Sequence, residues 1–275
     1  MYIPECFDTL GAVSLLDRLL PPPRAPGTLT FRCNICATVR DAEVGRLSRE
    51  VVSCSCGSTV RMRAVIHVLS VELFGKSLPI AEFPLRKDIA GVGMSDWEGY
   101  AHRLARKLAY QNTYLHKEPR LDITAIDDRA PHSLDFIISS DVFEHVPLPV
   151  GRAFDNAHLL LKPGGLLVFT VPYRNEPGLK TLEHFPEVHA FKIVADNGKR
   201  QLENTTRDGR RQVFKDLVFH GGEGETLEMR VFAEESLREE LRRSGFKDVK
   251  IHRDANFAHG IYWSEGWSLP ITARA

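Results

Sequence analysis

The sequence predicts an α/β protein with a doubly wound, mostly parallel sheet, a small cysteine-rich module before it and a β-hairpin insertion within it. Three observations support this prediction. Strand-like apolar runs alternate with helical patterns from about residue 85 onward. Four of the five cysteines lie close together, between residues 33 and 56. A polar, loop-rich stretch then interrupts the alternation at residues 173–232.

Length and composition limit the class of protein. At roughly 100–200 residues per domain, 275 residues suggest one large domain, or one domain and a small module. The 36 Lys and Arg residues balance 36 Asp and Glu residues. This balance removes the long-range cationic field of a protein dedicated to nucleic acid, although a local basic patch stays compatible with it. The first residues resemble no secretory signal, and no stretch approaches the ~18 uncharged apolar residues of a membrane span. We therefore expect a cytoplasmic protein without a membrane partner.

The chain divides at its proline-rich segment. Residues 11–20 have the spacing of a short amphipathic helix, and the prolines that follow them break it. We assign 1–27 to an N-terminal segment, 28–75 to the cysteine-rich module with a connecting helix at 61–74, and 76–275 to the main domain. The insertion at 173–232 is expected on the substrate side of that domain.

The main domain alternates strands with helices. Strands are predicted at 88–93, 112–115, 135–140 and 166–171. Helices are predicted at 97–108, capped by Ser95 or Asp96, and at 150–161, ended by the residues KPGG at 162–165. This alternation is typical of a mostly parallel sheet.

The insertion and the C-terminal part follow. Residues 212–220 and 226–232 are predicted to pair as a hairpin around the glycine-rich turn 221–225. A helix at 235–243, stopped by Gly245, and a last strand at 248–253 complete the alternation. The aromatic, turn-rich stretch 258–270 could cover a substrate or pack back onto the sheet.

The clustered cysteines predict a zinc site. Cys33 and Cys36 form one pair, and Cys54 and Cys56 form a second pair 17 residues later. Four thiolates satisfy tetrahedral Zn²⁺, and a site filled by four protein ligands is structural. In a chain without a secretory signal, clustered cysteines favour a metal over disulfides. Four reduced core cysteines are the alternative.

The same module is locally basic. Its arginines outnumber the acids Asp41, Glu43 and Glu50. The arginines concerned are Arg32, Arg40, Arg46, Arg49, Arg61 and Arg63. This pattern is compatible with a solvated charged face or with a surface that binds RNA or another polyanion.

The glycines of the first strand indicate a nucleoside site. Gly91 and Gly93 follow a strand and open a helix, where glycines let the backbone approach a ligand and the helix N-terminus favours an anionic group. The third glycine of the dinucleotide motif is replaced by Asp96, which disfavours a pyrophosphate.

Several segments together resemble the class I S-adenosylmethionine-dependent methyltransferases, of the type related to small-molecule O- and N-methyltransferases. The segments that carry the resemblance are IAGVGMSDW (89–97), LDITAIDD (121–128), LDFIISSDVFEHVP (134–147), LLLKPGGLLVFTVPY (159–173) and SLREELRRSGFKDVKI (236–251). The resemblance covers roughly 85–172 and 233–252 and implies a Rossmann-like fold. It leaves most of the insertion without a counterpart.

The resemblance also implies a set of residues that bind S-adenosylmethionine. Gly91 and Gly93 would pass under its methionine and ribose, and Asp122, at the end of the third strand, would accept from the adenine amino group. Ser140 and Asp141 would edge the methyl-transfer pocket. The acid that binds the ribose is expected at the end of the second strand, where Glu118 is the nearest acid but lies later than usual.

Candidate catalytic residues come from three places. The sequence Asp141-x-x-Glu144-His145 resembles the Glu-x-x-Glu-His metal site of ubiquinone-pathway O-methyltransferases, so a divalent cation or a helix-start packing pair is expected there. His184 and His189 lie in the insertion just after the fifth strand. His220 precedes the glycine turn. Histidine is the side chain best suited to act as a general base near neutral pH, so His145, His184, His189 and His220 are all candidates.

These observations predict a methyltransferase that acts on a hydroxyl, less readily an amine, of a small or carbohydrate-like substrate. Two alternatives stay open. One is an RNA methyltransferase that grips its substrate with the basic zinc module, as some rRNA base methyltransferases with a similar arrangement do. The other is a non-catalytic, zinc-linked interaction protein on a methyltransferase scaffold. The sequence leaves the oligomeric state open.

Overall fold

A computed structural model of the chain describes residues 27–126, 129–196, 198–220, 226–264 and 266–275. These residues form two compact units. The first contains residues 27–87, 97–108 and 253–264, and the second contains residues 88–96, 109–252 and 266–275 with the gaps just given. The helix predicted at 11–20 lies outside the described residues.

Strands make up most of the regular structure. They are β1 (Thr28–Arg32), β2 (Val39–Glu43), β3 (Arg86–Met94), β4 (Leu108–Thr113), β5 (Leu134–Ser140), β6 (Leu161–Thr170), β7 (Tyr173–Arg174), β8 (Leu182–Glu183), β9 (Ala190–Asp196), β10 (Lys199–Thr205), β11 (Arg211–Phe214), β12 (Phe219–His220), β13 (Thr226–Leu227), β14 (Arg230–Ala233), β15 (Lys247–Ile251) and β16 (Ile271–Arg274). The α-helices are α1 (Val60–Phe74), α2 (Glu98–Lys107), α3 (Gly151–Leu160) and α4 (Glu234–Arg243).

The first unit is built on the hairpin β1–β2 and helix α1. The two strands pair antiparallel from Thr28 opposite Glu43 to Arg32 opposite Val39. Helix α1 begins where the Thr59 hydroxyl accepts from the backbone N–H of Met62. It ends at Gly75, which has the left-handed φ of 71° that favours glycine. The helix predicted at 61–74 is confirmed.

The second unit contains a six-stranded sheet in the order β15-β16-β6-β5-β3-β4. Its centre is parallel, because β5 runs parallel to both β3 and β6. Its edge at β15 and β16 is antiparallel. Strands β5 and β6 carry continuous runs of fully buried apolar residues, as central parallel strands do. The α/β class and the mostly parallel sheet are therefore confirmed.

Two local predictions were wrong in detail, and one strand was missed. Helix α2 begins after Trp97, and neither Ser95 nor Asp96 serves as its N-cap. Residues 162–165 lie within β6, because the chain enters the strand directly after α3. The last sheet strand in the sequence is β16, which the sequence patterns did not predict and which inserts between β15 and β6.

The insertion forms small sheets around a core of its own. Buried side chains from distant parts of the segment meet there, namely Phe185, Leu202, Leu227 and Met229. The predicted hairpin exists only near its turn, where Phe219 pairs with Leu227 and His220 with Thr226. Its predicted outer arms are used otherwise, because β11 pairs with β10 and β14 pairs with β7 and β8.

None of the helices in the described ranges combines the length and the apolar composition needed to cross a membrane.

Candidate functional site

The carboxyl ends of the parallel strands define one edge of the sheet. Gly93 of β3 is in register with Ile138 of β5, and Ser140 at the end of β5 is in register with Thr170 at the end of β6. The residues that follow these strands therefore lie along the same edge. In open α/β sheets this is the edge at which ligands bind.

The two predicted glycines are required by close packing. A Cβ added to Gly91 would lie 2.2 Å from the Phe136 ring. A Cβ added to Gly93 would lie 2.0 Å from the Tyr110 hydroxyl and 2.2 Å from Oδ2 of Asp96. That hydroxyl donates to the same Asp96 oxygen at 2.6 Å. The space beside both glycines is thus filled by side chains of the chain itself.

Ser140 and Asp141 form a hydrogen-bonded network with Thr170. The Thr170 hydroxyl donates to Oδ1 of Asp141 at 2.8 Å and lies 3.0 Å from the Ser140 hydroxyl. The backbone N–H of Asp141 donates to the Thr170 carbonyl at 3.0 Å. Asp141 has a φ of 55°, a backbone conformation that residues other than glycine rarely adopt. This network fixes the turn that leaves β5.

Asp122 and Glu118 lie in a different local setting from the one predicted. No strand of the sheet includes Asp122 among the described residues, and an isolated bridge joins it to Ala125. Its Oδ1 accepts from both the N–H and the hydroxyl of Thr124, so it closes a local turn. Glu118 is exposed and accepts from the N–H of Arg120. Placing Asp122 at the end of a third strand was therefore wrong.

The turn after Asp141 carries a cluster of imidazole and carboxylate groups. Glu144 is fully buried, and its Oε1 lies 3.8 Å from Nε2 of His145 and 3.9 Å from Nδ1 of His220. The imidazoles of His145 and His220 are 5.0 Å apart and perpendicular. One ligand atom from each of these three residues lies within 4.8 Å of the others. We call Glu144, His145 and His220 the imidazole cluster.

A second carboxylate borders the imidazole cluster. Oε2 of Glu228 lies 3.0 Å from Nε2 of His220, and its Oε1 lies 2.9 Å from Nε2 of His184. Three of the four predicted histidines, His145, His184 and His220, are therefore brought into one region. His189 is exposed, and within the described parts of the chain no bond of its ring joins it to this region.

Hydrogen bonds to backbone carbonyls hold the insertion against the turn that follows Asp141. The N–H of Met229 donates to the Glu144 carbonyl at 2.8 Å. Arg230, whose side chain is fully buried, donates to the carbonyls of Phe143 and Val146 at 3.0 and 2.6 Å. It also pairs with Glu183 at 2.8 Å. These bonds fix Glu144 and His145 relative to Glu228.

The environment of His145 keeps its imidazole neutral. Burial lowers the pKa of His145, only partly opposed by the hydrogen bond to Leu227. The Leu227 carbonyl lies 2.9 Å from Nδ1 and can only accept, so Nδ1 carries the proton. The lone pair of Nε2 then remains on the side of Glu144.

Glu228 and Arg230 were missed by sequence reasoning, although a signal existed. With 221–225 as the turn, His220 pairs with Thr226, and Glu228 falls diagonally across from His220 on the same face. Working out the register of the predicted hairpin would therefore have brought these two side chains together. No local sequence pattern indicates the buried hydrogen bonds of Arg230.

In the first unit, the four predicted cysteines converge. Their Sγ atoms all lie within 4.8 Å of one another. The Sγ atoms are 3.8 Å apart in Cys33 and Cys56 and 3.6 Å apart in Cys36 and Cys54. All four are free thiols. We call these residues the cysteine cluster.

The cysteine cluster shares negative charge. The contact with Cys33 lowers the pKa of Cys56 to about 4, and the same contact raises the pKa of Cys33. Burial raises the pKa of Cys54. At neutral pH the Cys33–Cys56 pair therefore shares one thiolate charge.

A buried arginine accompanies the cysteine cluster. Arg63 is fully buried and donates to Ser53 Oγ at 2.9 Å, to the Gly260 carbonyl at 2.8 Å and to both oxygens of Ser58 at 3.2 Å. Its guanidinium lies 4.8 Å from the centre of the Phe31 ring. Burial lowers its pKa, and the charges of the four cysteines oppose that shift.

Comparison with known families gives one match over most of the chain. Residues 82–251 match the model of a family described as a methyltransferase domain. No curated protein matches the sequence significantly.

Solved structures similar to this chain are remote in sequence. An S-adenosylmethionine-dependent methyltransferase from Mesorhizobium loti is 18% identical, with 71% of this chain and 94% of that chain covered and a TM-score of 0.39. The 1,6-didemethyltoxoflavin-N1-methyltransferase of Burkholderia thailandensis is 18% identical, with 78% and 77% covered and a TM-score of 0.41. An S-adenosylmethionine-dependent methyltransferase from Clostridium acetobutylicum is 12% identical, with 79% and 91% covered and a TM-score of 0.42.

Proposed function

We propose that this chain, which belongs to the methyltransferase-domain family and is an S-adenosylmethionine-dependent methyltransferase, methylates a hydroxyl group of a small or carbohydrate-like molecule. One observation carries the proposal. The imidazole cluster begins three residues after Asp141, at the carboxyl end of β5, where this fold class binds its ligands. Groups able to take up a proton therefore stand next to the expected site of methyl transfer.

The residues at this edge fit the cofactor in chemical type. At this edge Asp141 supplies a carboxylate and Ser140 supplies a hydroxyl. Asp122 and Glu118, which bond within their own local turns, stay predicted contacts of the adenine and the ribose. The fixed turn at Asp141 supports the fit, because its hydrogen bonds to Thr170 hold the carboxylate in one orientation. The bound cofactor supplies an electrophilic methyl group on a sulfonium. Gly91 and Gly93 keep the end of β3 narrow enough for close packing.

The chain's own part in the reaction is to orient the acceptor and take up its proton. A neutral imidazole is needed for that role, and burial keeps His145 neutral. His220, with its side chain 38% exposed, and His184 are the more accessible members of the same region. His189 remains a separate candidate in the insertion. An amine is the less favoured acceptor.

We further propose that the cysteine cluster holds a structural Zn²⁺. Zinc–sulfur bonds of about 2.3 Å in a tetrahedron place the sulfurs about 3.8 Å apart, close to the separations of 3.8 and 3.6 Å. A disulfide would need about 2.05 Å. Four thiolates around Zn²⁺ carry two net negative charges, and the buried Arg63 supplies a compensating positive charge.

The RNA alternative is weakened by the partners of the module's arginines. Arg49 and Arg61 both pair with Glu50, Arg32 pairs with Glu82, and Arg63 is buried. Glu50 and Glu82 together offset two of these positive charges and Arg63 is removed from the surface, so the predicted positive face is weaker than the arginine count indicates. A small molecule remains the better supported partner.

Titration with S-adenosylhomocysteine tests the proposed function. We expect saturable binding by calorimetry and at least about tenfold weaker binding by Asp141→Asn, because that change removes a charged acceptor from the strand edge. Asp155→Asn is the matched control, since Asp155 is an exposed acid of α3 that pairs with Arg243. No binding at millimolar ligand would overturn both enzymatic interpretations and favour a non-catalytic scaffold. Steeply salt-dependent RNA binding, lost in Arg61→Ala, would favour the RNA alternative.

A further inference from the structure

We propose that Glu144, His145 and His220 form a second metal site, one that binds a divalent transition-metal ion through two imidazole nitrogens and a carboxylate. The predicted cation site used Asp141, Glu144 and His145. Asp141 instead accepts from the Thr170 hydroxyl, and the insertion supplies His220 in its place. The proposed site therefore depends on a residue 76 positions beyond Glu144 in the sequence.

The separations fit a shared ion better than direct hydrogen bonds. Oε1 of Glu144 lies 3.8 and 3.9 Å from the two imidazole nitrogens, beyond the limit of an N–H···O hydrogen bond. Two ligands bound at 2.0–2.2 Å to one tetrahedral ion lie about 3.4 Å apart. A small inward movement of the side chains would complete the coordination.

The outer hydrogen bonds orient both imidazoles for metal binding. His145 uses Nδ1 to donate to the Leu227 carbonyl, which leaves Nε2 on the side of Glu144. His220 uses Nε2 toward Glu228, which leaves Nδ1 on that side. Histidines that bind metals almost always donate their other N–H to a carbonyl or a carboxylate. Both kinds of outer partner occur here.

Charge also favours a cation. Glu144 is fully buried, and the side chain of Glu228 is only 9% exposed. Two carboxylates with so little access to water are costly unless a positive charge accompanies them. A divalent ion at Glu144 would balance both acids.

The ligand types indicate which ion. Two imidazoles and one carboxylate suit Zn²⁺, Co²⁺ or Fe²⁺, whereas Mg²⁺ and Ca²⁺ prefer oxygen alone. Three protein ligands leave a coordination position open, as in catalytic zinc sites. Because His220 is 38% exposed, a small ligand can reach that position. On the proposed function, which this last step rests on, the ion would bind the acceptor hydroxyl and make it more acidic. His145 and His220 would then act as ligands, and His184, which is not a ligand, would take up the proton.

Titration of the full chain with Co²⁺ tests the site. We expect Co²⁺ to bind at one position with visible d–d bands and no sulfur-to-cobalt charge-transfer band, in addition to any metal on the cysteine cluster. His220→Ala should weaken this binding at least 100-fold, and Glu228→Gln should weaken it 10- to 100-fold through the lost outer bond. His189→Ala is the matched control, because it removes an exposed histidine of the same insertion.

Each outcome decides the proposal. Binding only with the sulfur band, or unchanged binding in His220→Ala, would overturn it. Thermal unfolding and S-adenosylhomocysteine binding are measured on every variant. A folded wild-type protein that binds S-adenosylhomocysteine but no Co²⁺ outside the cysteine cluster would refute the metal site and leave the proposed function intact. The reverse result would refute the proposed function alone.

Discussion

The cysteine cluster and the imidazole cluster differ in how far apart their residues lie in the sequence and in how many ligands they offer an ion. The four cysteines come from a segment of 24 residues, and together they can fill every position around an ion. The imidazole cluster joins Glu144 and His145 to His220, and its three ligands leave one position open. A closed site made from one short segment is suited to holding that segment folded. An open site made from distant segments forms only when the fold brings them together, and its open position is suited to binding a small ligand.

Removing one cysteine should give the largest effect. Cys33→Ser leaves three ligands, and apparent zinc-binding free energies of about 10–16 kcal/mol contribute directly to folding in small zinc modules. We expect loss of bound zinc and unfolding of the cysteine-rich module, measured by metal analysis and by hydrogen exchange in residues 28–75. Cys6→Ser, which changes a cysteine outside the described residues, should keep the zinc. Full zinc in Cys33→Ser would contradict the closed-site interpretation.

Removing the buried charge beside the cysteines should have the next largest effect. Arg63→Met keeps much of the volume but removes the cation and its bonds to Ser53, Ser58 and Gly260. We expect a loss of about 3–5 kcal/mol of unfolding free energy, by analogy with broken buried ion pairs. Zinc should also pass more readily to a competing chelator. Arg46→Met, at an exposed arginine of the same module, should change neither quantity.

The strand edge beside the imidazole cluster gives the smallest of the three effects. In Gly93→Ala the new methyl group would lie 2.0 Å from the Tyr110 hydroxyl. We expect about 1–3 kcal/mol of destabilisation, because the neighbouring side chains must move. Denaturant unfolding measures this loss. Gly45→Ala is the control, because nothing lies within 4 Å of its added Cβ and its φ is not left-handed. Equal stability of the two variants would show that the edge is loosely packed.

The same contrast explains which features could be predicted from the sequence and which could not. The cysteine spacing, helix α1 and the central strands follow from local patterns, which the residues themselves display. The sequence identifies each candidate histidine separately. Which of them lie close together depends on the pairing of β12 with β13 and on the buried bonds of Arg230. Such long-range contacts leave no periodic signal. Strand β16 was missed because four residues at the chain end are too short a pattern.

The bonds of Arg230 have a consequence for how this chain can be altered. One guanidinium joins the turn after β5 to the insertion through the carbonyls of Phe143 and Val146. Carbonyls are present whatever side chains occupy those positions, so the joint tolerates sequence change in the turn. The strands at 190–214 take no part in this joint, but Leu202 packs with Leu227 and Met229 in the core of the insertion, so a replacement segment would need an apolar side chain at that position. The stretch from Thr226 to Ala233 would have to be kept, because it contains Arg230 and therefore the bonds to Phe143 and Val146.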